Sequence, residues 1–401
     1  MAGPAEPAPP PVLLDVSRLV SRIGRGHPTG IDRVEGAWLG HLLPDPRTRL
    51  LCRTRVGQLI LPPAAGAAIL RALGLAEDGR TESLAPQPRP GTGRLRREAG
   101  LARAALAWAG RDGWGMRRAL KRAGVPGDAV YLNAGHTNLT HDLMAALPLR
   151  KAVLIHDTIP LDHPQWTRPG QDAAFCARLG AACDHADLLL AVSAATAARL
   201  RDWRARLSLP ARARIAAVPI GTGLARPDMA HPLPPAPYFL TLGTIEPRKN
   251  HALLLDAWAR LPGPPPGLVI AGRRGWLNEA VFARLDALPA GGPVTEAPDL
   301  TDGAVAALME GAQALLFPSL AEGFGLPLTE AAARGVPILA LDLHSTRELL
   351  GNHVRYLPDD AAIWAQAVED LARAPRFRQA PVAVPGWDDH FRTVLGSLAA
   401  L

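Results

Sequence analysis

Short apolar runs recur along this chain and alternate with longer stretches of helical periodicity, and this alternation restricts the fold more than any other feature. The first run is "VLLDVS" near residue 12, and seven others are "AVLIH", "LLLAVS", "IAAVPI", "YFLTLG", "GLVIAG", "ALLFPS" and "PILALD". Strands that alternate with helices pair in parallel, because the crossover helix returns the chain to the edge of the sheet where the previous strand began. The sequence therefore predicts an α/β fold built on parallel sheets.

A proline-rich stretch divides these runs into two sets. Residues 225–238 read "ARPDMAHPLPPAPY", and proline is excluded from helix interiors and central strands. With 401 residues, of which 48% are hydrophobic, the chain is long enough to form two separate cores. We therefore predict one domain over 12–227 and a second over 228–385, and we interpret a second proline-rich break at 85–93 as a surface loop.

Composition narrows the class of function. The net charge of +7 favours phosphate-bearing or anionic partners, but aromatic residues make up only 5% of the chain and nucleic-acid-binding spacings are absent, so no nucleic-acid partner is expected. Cys52, Cys176 and Cys183 lack metal-ligand spacing and are expected to be reduced thiols. Residues 1–11 lack the features of a signal peptide and are predicted to be a disordered leader, and no apolar run approaches the ~20 residues that span a bilayer. A cytoplasmic protein is expected, either soluble or peripheral at the inner face of the membrane.

The segment 94–124 combines many arginines with Trp108, Trp114 and Met116. This composition is typical of a basic amphipathic surface that contacts anionic lipid. A pair of surface helices with solvated arginines explains the same pattern. Both interpretations remain open at the level of the sequence.

The stretch "LAEGFGLPLTEAAARGVP" at 320–337 predicts a loop and a helix between two strands. The helix would begin near Pro327, so that the loop before it lies at the positive end of the helix dipole and favours an anion. Glu322 and Glu330 are unsuited to a phosphate but could accept hydrogen bonds from sugar hydroxyls on either side of it. A nucleotide sugar has that arrangement of groups. The alternative is that both glutamates have purely structural places in the loop and the helix.

The stretch "YFLTLGTIEPRKNHALLLDAW" at 238–258 predicts a buried strand, a loop and a helix whose N-cap is Asn250. Arg248 and Lys249 stand immediately before this helix, where its dipole disfavours cations. An anionic ligand between the cations and the helix would remove the mismatch, which indicates a phosphate site. Solvated surface cations are the alternative.

Two stretches of the first half carry further candidate residues. In "AVLIHDTIPLDHP", His156 and Asp157 end an apolar strand, where open α/β sheets bind ligands. His156 is a candidate for contacting a reacting sugar or else a structural histidine, and Asp157 is predicted to organise the following loop. In 21–43, Gly30 opens a helix and could approach a phosphate, but the glycine spacing fits a dinucleotide site poorly.

These motifs together resemble those of the retaining glycosyltransferases of family 4. The resemblance rests on "GTIEPRKN", "EGFGLPLTEA" and "IAGRRGW", with "TGIDRVE" and "HDTIPLDHP" upstream, and it extends from about residue 12 to 401 with no match at 45–125. It implies a GT-B fold, in which two Rossmann-like parallel-sheet domains face each other across a cleft and the second holds a nucleotide-sugar donor. The last residues, 386–401, resemble the helix that packs back on the first domain. The family requires no metal and no cofactor.

The resemblance also implies roles for single residues. Lys249 and Arg248 would meet the donor diphosphate, aided by Arg273, because Thr244 stands where many members have arginine. Glu330 would take the ribose hydroxyls. The implied catalytic residues are His156, Glu322 and Lys249, and the implied donor-binding residues are Gly30, Thr244, Arg248, Lys249, Arg273, Glu322, Gly323, Phe324, Gly325, Leu326 and Glu330.

The implied reaction is transfer of a hexose with retention at its anomeric carbon. The donor would be a nucleotide-diphosphate sugar, with GDP-mannose or a related hexose as the best match, and the acceptor a glycan or a lipid-linked saccharide. A sugar-nucleotide epimerase of the same GT-B architecture is one alternative. A nucleotide-sugar-binding protein that has lost catalysis is the other.

Overall fold

The computed structural model describes residues 9–26, 28–75 and 92–401, and for 92–96 the backbone alone. Most of the predicted leader at 1–11 and of the predicted loop at 85–93 therefore lies outside the described residues. The chain divides into two compact units, which we call unit 1 and unit 2. Unit 1 comprises Met1–His156, Ala173–Ile220 and Trp387–Leu401, and unit 2 comprises Asp157–Asp172 and Gly221–Gly386.

The secondary structure of the described residues alternates strands and helices along most of its length. The strands are β1 Val12–Asp15, β2 Arg49–Arg53, β3 Gln58–Leu61, β4 Ala107–Ala109, β5 Val130–Asn133, β6 Arg150–Ile155, β7 Leu188–Ala191, β8 Arg214–Ala217, β9 Tyr238–Leu242, β10 Gly267–Ala271, β11 Val294–Ala297, β12 Leu315–Phe317, β13 Ile338–Leu341 and β14 Arg355–Leu357. The α-helices are α1 Ser17–Arg22, α2 Gly30–Leu42, α3 Pro63–Leu73, α4 Thr92–Ala104, α5 Met116–Arg122, α6 His141–Ala146, α7 Ile159–Asp162, α8 Gln171–His185, α9 Ala194–Arg206, α10 His251–Trp258, α11 Glu279–Asp286, α12 Asp302–Gly311, α13 Leu326–Ala333, α14 His344–Leu350, α15 Ala361–Arg373 and α16 Trp387–Ala399.

The described strands of unit 2 form one parallel sheet in the order β11-β10-β9-β12-β13-β14. Both faces of this sheet are buried, because successive residues of a strand point to opposite faces and pack into two different hydrophobic clusters. Phe239 lies in one cluster and Leu240 in the other. Counted along the chain, the strand order is 3-2-1-4-5-6, that of a doubly wound Rossmann-type sheet, and its direction reverses between β9 and β12. The prediction of a parallel α/β domain is confirmed for this unit.

Unit 1 contains a sheet of the order β4-β3-β2-β1-β5-β6-β7-β8 within the described residues. The strands from β2 through β1 to β8 are parallel, but β2 pairs with β3, and β3 with β4, antiparallel. The predicted parallel α/β sheet is confirmed, and the antiparallel edge lies in 45–125, where no strand was predicted. The connection between β2 and β3 is a short turn in which Thr54 and Gly57 are hydrogen-bonded, too short for a crossover helix.

One segment falls on the other side of the predicted domain boundary. Residues 157–172 were placed in the first domain, over 12–227, but they belong to unit 2. The indole Nε1 of Trp276 donates to the carbonyl of Trp166 at 3.0 Å, and the guanidinium of Arg168 lies 4.9 Å from the centre of the Trp276 ring. These contacts join the segment to the loop after β10.

Helix α16 lies in unit 1, where it packs on α2. Phe391 meets Trp38 edge to face at a ring separation of 4.9 Å and stacks on His41 at 3.9 Å. Trp38 is 1% exposed. Burial of aromatic surface therefore holds the end of the chain on the first unit.

Candidate active site

A cluster of buried charges in unit 2 lies at the point where the strand order reverses. The carboxyl ends of parallel strands share one edge of a sheet, and ligands of doubly wound folds bind where neighbouring strands lead their crossovers in opposite directions. In unit 2 those strands are β9 and β12. They are followed by 243–250 and 318–326, the two stretches in which sequence motifs were found.

An ion cluster joins these two stretches. The carboxylate Oε1 of Glu322 accepts from Lys249 Nζ at 2.5 Å and from an Arg248 guanidinium nitrogen at 2.8 Å, while Arg248 Nε lies 2.7 Å from Glu246 Oε1. The side chains of Lys249 and Glu322 are each 10% exposed. Lys249 Nζ also lies 4.8 Å from the centre of the Phe317 ring. Two carboxylates thus neutralise two cations in a site that is largely shielded from solvent.

The pKa shifts describe how strongly the cluster is coupled. Burial opposes ionisation of Glu322, but Arg248 and Lys249 outweigh it and lower the pKa of this carboxyl. Burial lowers the pKa of Lys249, although the charge of Glu322 acts to raise it. Burial raises the pKa of Glu246, although the charge of Arg248 acts to lower it. Glu322 is therefore the carboxylate most firmly held in its charged form, and Lys249 depends on a neighbouring anion to keep its proton.

This cluster modifies the phosphate argument drawn from the sequence. The cations before α10 were taken to need a ligand anion, but Glu322 supplies an anion from the protein itself. Arg248 and Lys249 are also tied in place by the backbone, because Leu320 N–H donates to the Arg248 carbonyl at 2.8 Å. The alternative of solvated surface cations does not hold, since Lys249 is buried.

The predicted loop and helix after β12 are confirmed. Helix α13 has Pro327 in its first turn, and its N-cap Gly325 has φ 96°, a left-handed conformation that glycine adopts without strain. Gly323 and Phe324 are buried immediately before it. Glu330 lies one turn into α13 and is half-buried, so it shares the helix with the proposed anion site.

Two predicted residues have other partners than expected. Arg273 donates from Nε to Asp299, and both side chains are about half exposed; this cation is therefore engaged outside the ion cluster. Asn250 stands at the N-cap of α10, as predicted, but with φ 52° and no capping bond from its side chain, which donates instead to Asp359 at 2.9 Å. Thr244 follows β9 and is half-buried.

Two further acids lie at this site, and sequence reasoning missed the first of them, Glu246. Glu246 is 2% exposed, and its Oε2 has no hydrogen-bond partner among the described residues. Asp157 was expected only to organise a loop, and it does accept from Ile159 N–H at 3.1 Å. Burial raises its pKa, while the charge of Arg248 lowers it. The signal for Glu246 was its place two residues before Arg248.

Unit 1 has its own reversal point, between β1 and β5. Asp15 ends β1 and accepts from Tyr131 Oη at 2.9 Å and from Asn138 Nδ2 at 2.8 Å. His156 follows β6 on the same edge, and is 7% exposed. Its ring Nε2 lies 2.7 Å from the carbonyl of Ala134, and burial lowers its pKa to about 4. At neutral pH the ring is uncharged.

Gly30 is the first residue of α2, as predicted, and a second buried cluster forms on that helix. Asp32 completes a capping box with Thr29 and accepts from Arg18 and from Arg22. Arg18 also donates to Glu35 Oε2 at 2.8 Å. The sequence signal for Glu35 was an acid on the apolar face of α2, and it was not recognised.

Burial raises the pKa of Glu35 to about 8, against the attraction of Arg18. The folded protein then binds this proton more tightly than the unfolded chain, so the free energy of unfolding falls as pH rises from about 4.5 to about 8. We expect Glu35→Gln, which imitates the protonated form, to reduce the loss of Tm between pH 5 and pH 8. Thermal melts at both pH values measure this loss, with the exposed Asp128→Asn as control. A loss as large as that of the native protein would contradict the assignment.

Comparisons with known proteins agree with this geometry. Residues 230–381 match the family model of the glycosyl transferases group 1. The serotype-specific mannosyltransferase WbdA of Escherichia coli is 33% identical over 251 residues, which cover 57% of this chain and 30% of that protein. The O-antigen chain mannosyltransferase RfbU of Salmonella typhimurium is 29% identical over 142 residues, or 34% of this chain and 39% of that protein. The matched region thus spans only about a third of either relative.

The fold is also found in solved structures. Sucrose-phosphate synthase from Thermosynechococcus elongatus has a TM-score of 0.59 at 17% identity, covering 98% of this chain and 96% of that chain. The fold class is the GT-B type, with two α/β units. Among the described residues, no helix is both long and apolar enough to cross a membrane.

Proposed function

We propose that this chain, whose residues 230–381 form a glycosyl transferases group 1 domain, transfers a hexose from a nucleotide-diphosphate sugar to a saccharide acceptor. The observation that carries the proposal is the ion cluster at the reversal point of unit 2. It sets Lys249 and Arg248 around Glu322, directly before the N-terminus of α13. Cations and a helix N-terminus suit a diphosphate, and a carboxylate suits sugar hydroxyls.

The donor we propose is GDP-mannose or a related hexose. Support comes from the relatives, which are described as mannosyltransferases of E. coli and Salmonella. The acceptor we propose is a glycan or a lipid-linked saccharide, since RfbU is described as an O-antigen chain enzyme. Because the matched region spans only about a third of these relatives, donor and acceptor both stand as proposals for this chain.

The roles of the residues follow from their chemistry. Lys249 and Arg248 neutralise the diphosphate, and Glu322 accepts hydrogen bonds from the transferred sugar while the amides of 323–326 donate to its phosphate. Glu330 accepts from the ribose. We propose that His156 contacts the transferred sugar and that Gly30 gives the donor close access to the backbone.

The reaction we propose proceeds with retention. The bond from the anomeric carbon to the diphosphate oxygen breaks, and a bond from that carbon to the acceptor oxygen forms on the same face of the sugar. The departing diphosphate oxygen takes the acceptor proton. Lys249 and Arg248 stabilise the charge that develops on the leaving group, a role that needs no metal.

A panel of nucleotide sugars tests the function. The protein is incubated with GDP-mannose, other GDP-hexoses and UDP-hexoses, with and without oligosaccharide acceptors, while nucleotide release and the stereochemistry of the product are followed. Acceptor-dependent release with a retained anomeric configuration is expected. Conversion of the sugar without any acceptor would indicate an epimerase, and binding without turnover would indicate a nucleotide-sugar-binding protein.

Glu330 gives a prediction about the ribose. Because the ribose is remote from the reacting carbon, Glu330→Ala should raise the donor KM roughly tenfold and leave kcat nearly unchanged. A donor with 2′-deoxyribose should lose affinity for the native protein and lose little more on the variant, since hydroxyl and carboxylate form one interaction. Steady-state kinetics with both donors measures this cycle. Equal penalties for the deoxy donor in both proteins would place Glu330 away from the ribose; Glu310→Ala, an acid on α12 paired with Arg334, is the control.

We also propose that unit 1 contacts anionic membrane through the surface around β4 and α5. Trp114 is 72% exposed and Trp108 48% exposed, and both line an open groove of about 740 Å³ that also includes Arg117, Arg118 and Arg122. Exposed tryptophans beside arginines suit the interface between headgroups and acyl chains. This surface would bring the enzyme to a lipid-linked acceptor.

Vesicle sedimentation measures the membrane contact. We expect binding to vesicles with phosphatidylglycerol, weaker binding at high salt, and little binding to pure phosphatidylcholine. Each arginine near the surface contributes ~1 kcal/mol, so the double variant Arg117→Ser with Arg118→Ser should bind about tenfold more weakly or worse. Trp203→Ser with Arg206→Ser, which removes an arginine–tryptophan pair from α9, is the control. Equal binding to neutral vesicles would contradict the proposal.

A further inference from the structure

The loop after β5 holds His156 by two separate hydrogen bonds. The ring Nε2 of His156 lies 2.7 Å from the carbonyl of Ala134, and the backbone N–H of His156 donates to the ring Nε2 of His136 at 2.8 Å. The two imidazole rings lie 4.8 Å apart. Both the ring and the backbone of His156 are therefore fixed by neighbouring residues of one loop.

These bonds determine the tautomers of the two rings. A carbonyl only accepts, so His156 carries its proton on Nε2 and has an acceptor lone pair on Nδ1. His136 accepts at Nε2 and, as a neutral ring, carries its proton on Nδ1. Burial lowers the pKa of both rings, that of His156 to about 4. At neutral pH His156 thus offers a third group only an acceptor, at Nδ1.

His136 is itself held in an unusual conformation. Its φ is 59°, a left-handed backbone that a residue with a side chain adopts at some cost in strain. Its N–H donates to Asn133 Oδ1 at 3.1 Å, and Asn133 Nδ2 donates to the hydroxyl of Tyr131, which donates to Asp15. The strained turn is thereby anchored at the reversal point of the unit 1 sheet.

We propose that His136 is a positioning residue for His156, which it holds so that Nδ1 accepts a hydrogen bond from a hydroxyl of the transferred sugar. This inference rests on the proposed function, since it needs a sugar at His156. His136 itself does not touch the substrate. It acts by fixing the backbone at 156.

Three variants at position 136 separate positioning from packing. His136→Leu removes the hydrogen-bond acceptor, and His136→Gln restores one at similar reach. Both variants place a side chain on the same left-handed backbone, so the backbone strain is common to them. We expect kcat to fall roughly tenfold to hundredfold in the leucine variant, with an unchanged donor KM, and to stay within about threefold of native in the glutamine variant. His136→Asn suits the left-handed backbone but is too short to reach the His156 N–H, and it replaces the leucine variant if that variant does not fold.

A double-mutant cycle with His156→Ala tests whether the effect passes through His156. In that background His136→Leu should not lower kcat further, because the residue that it positions has lost its ring. A folded leucine or asparagine variant with native kcat would overturn the proposal. So would an equal fall of kcat in both backgrounds, which would indicate a general loss of packing.

Hydrogen exchange at the His156 amide provides a readout that does not depend on turnover. In the native and glutamine proteins residue 136 accepts a hydrogen bond from this N–H and should protect it, whereas the leucine variant should exchange it at least about tenfold faster. Unchanged exchange in the leucine variant overturns the positioning role even if no donor is ever turned over. Failure of the nucleotide-sugar panel with the expected exchange would instead count against the proposed function alone.

Discussion

Replacing Glu322 by glutamine is expected to slow sugar transfer at least tenfold and, at the same time, to tighten the binding of GDP. In the structure the Glu322 carboxylate binds both cations that the diphosphate is proposed to meet. Its Oε1 lies 2.5 Å from Lys249 Nζ and 2.8 Å from a guanidinium nitrogen of Arg248. Glutamine removes the charge that competes for both cations, so the phosphates reach Lys249 without displacing a carboxylate, and Arg248 keeps only its bond to Glu246. It also removes the charged acceptor for the sugar hydroxyls, and such bonds contribute roughly 1.5–3 kcal/mol.

Calorimetry with GDP and steady-state kinetics with GDP-mannose measure the two opposite effects. We expect the GDP affinity of Glu322→Gln to rise about tenfold and its kcat to fall by roughly tenfold to hundredfold. The thermal shift on adding GDP should grow as well, since Lys249 of the unliganded variant lacks its anion and Arg248 keeps only Glu246. Glu296→Gln, in an acid that pairs with Arg274 instead, should change neither value. Weaker GDP binding by Glu322→Gln would show that this carboxylate does not compete with the diphosphate.

Lys249→Ala is expected to weaken GDP binding by about tenfold to hundredfold while guanosine binding stays the same. The reason is that Lys249 is proposed to meet the charge of the diphosphate and neither the base nor the ribose, and a charged hydrogen bond contributes roughly 1.5–3 kcal/mol. Titrations of GDP and guanosine against native and variant protein give the four affinities needed.

Two further variants make the Lys249 result interpretable. Lys249→Met removes the ammonium that lies over the Phe317 ring but fills the site with an unbranched apolar side chain, and it should lose GDP affinity as Lys249→Ala does. Arg273→Ala removes a cation that pairs with Asp299, so we expect less than about a threefold effect. Equal loss of GDP and guanosine in Lys249→Ala would mean that the fold, and not a phosphate contact, had been damaged.

Much of the fold of unit 2 could be predicted because its signals are local. The run "YFLTLG" corresponds to β9, "GLVIAG" to β10 and "PILALD" to β13, and each is a short apolar segment that ends in glycine or in a polar residue. Gly335, with φ 66°, follows the last turn of α13, and a glycine at this place is a common local signal that a helix ends. Such features depend on a few neighbouring residues.

The antiparallel edge of unit 1 was missed for a physical reason. Strands β2 and β3 are separated by only four residues, and β4 follows long after. The first two strands form a local hairpin, whereas the pairing of β3 with β4 joins distant parts of the chain, and no periodicity in 45–125 specifies either. The rule that strands alternating with helices pair in parallel does not apply where a hairpin intervenes.

The ion cluster was missed in the same way. Spacing alone identified Lys249 and Glu322 as separate candidates on two motifs. That they bond to each other follows from β9 and β12 being neighbours in the sheet, which is a property of strand order. The sequence thus predicted the participants of the site and not their pairing. Glu246, Glu35 and His136 were missed because their roles depend on burial and on partners far along the chain.

The contacts of 157–172 determine where this protein can be divided. The family match begins at residue 230, and a recombinant donor module cut there would lack Arg168 and Trp166, the partners of Trp276. The Trp276 indole would then lose both its hydrogen-bond acceptor and the cation stacked on its face. Chimeric proteins that exchange the second unit between relatives therefore need to carry 157–172 with it, although this segment lies near the end of the first half of the chain.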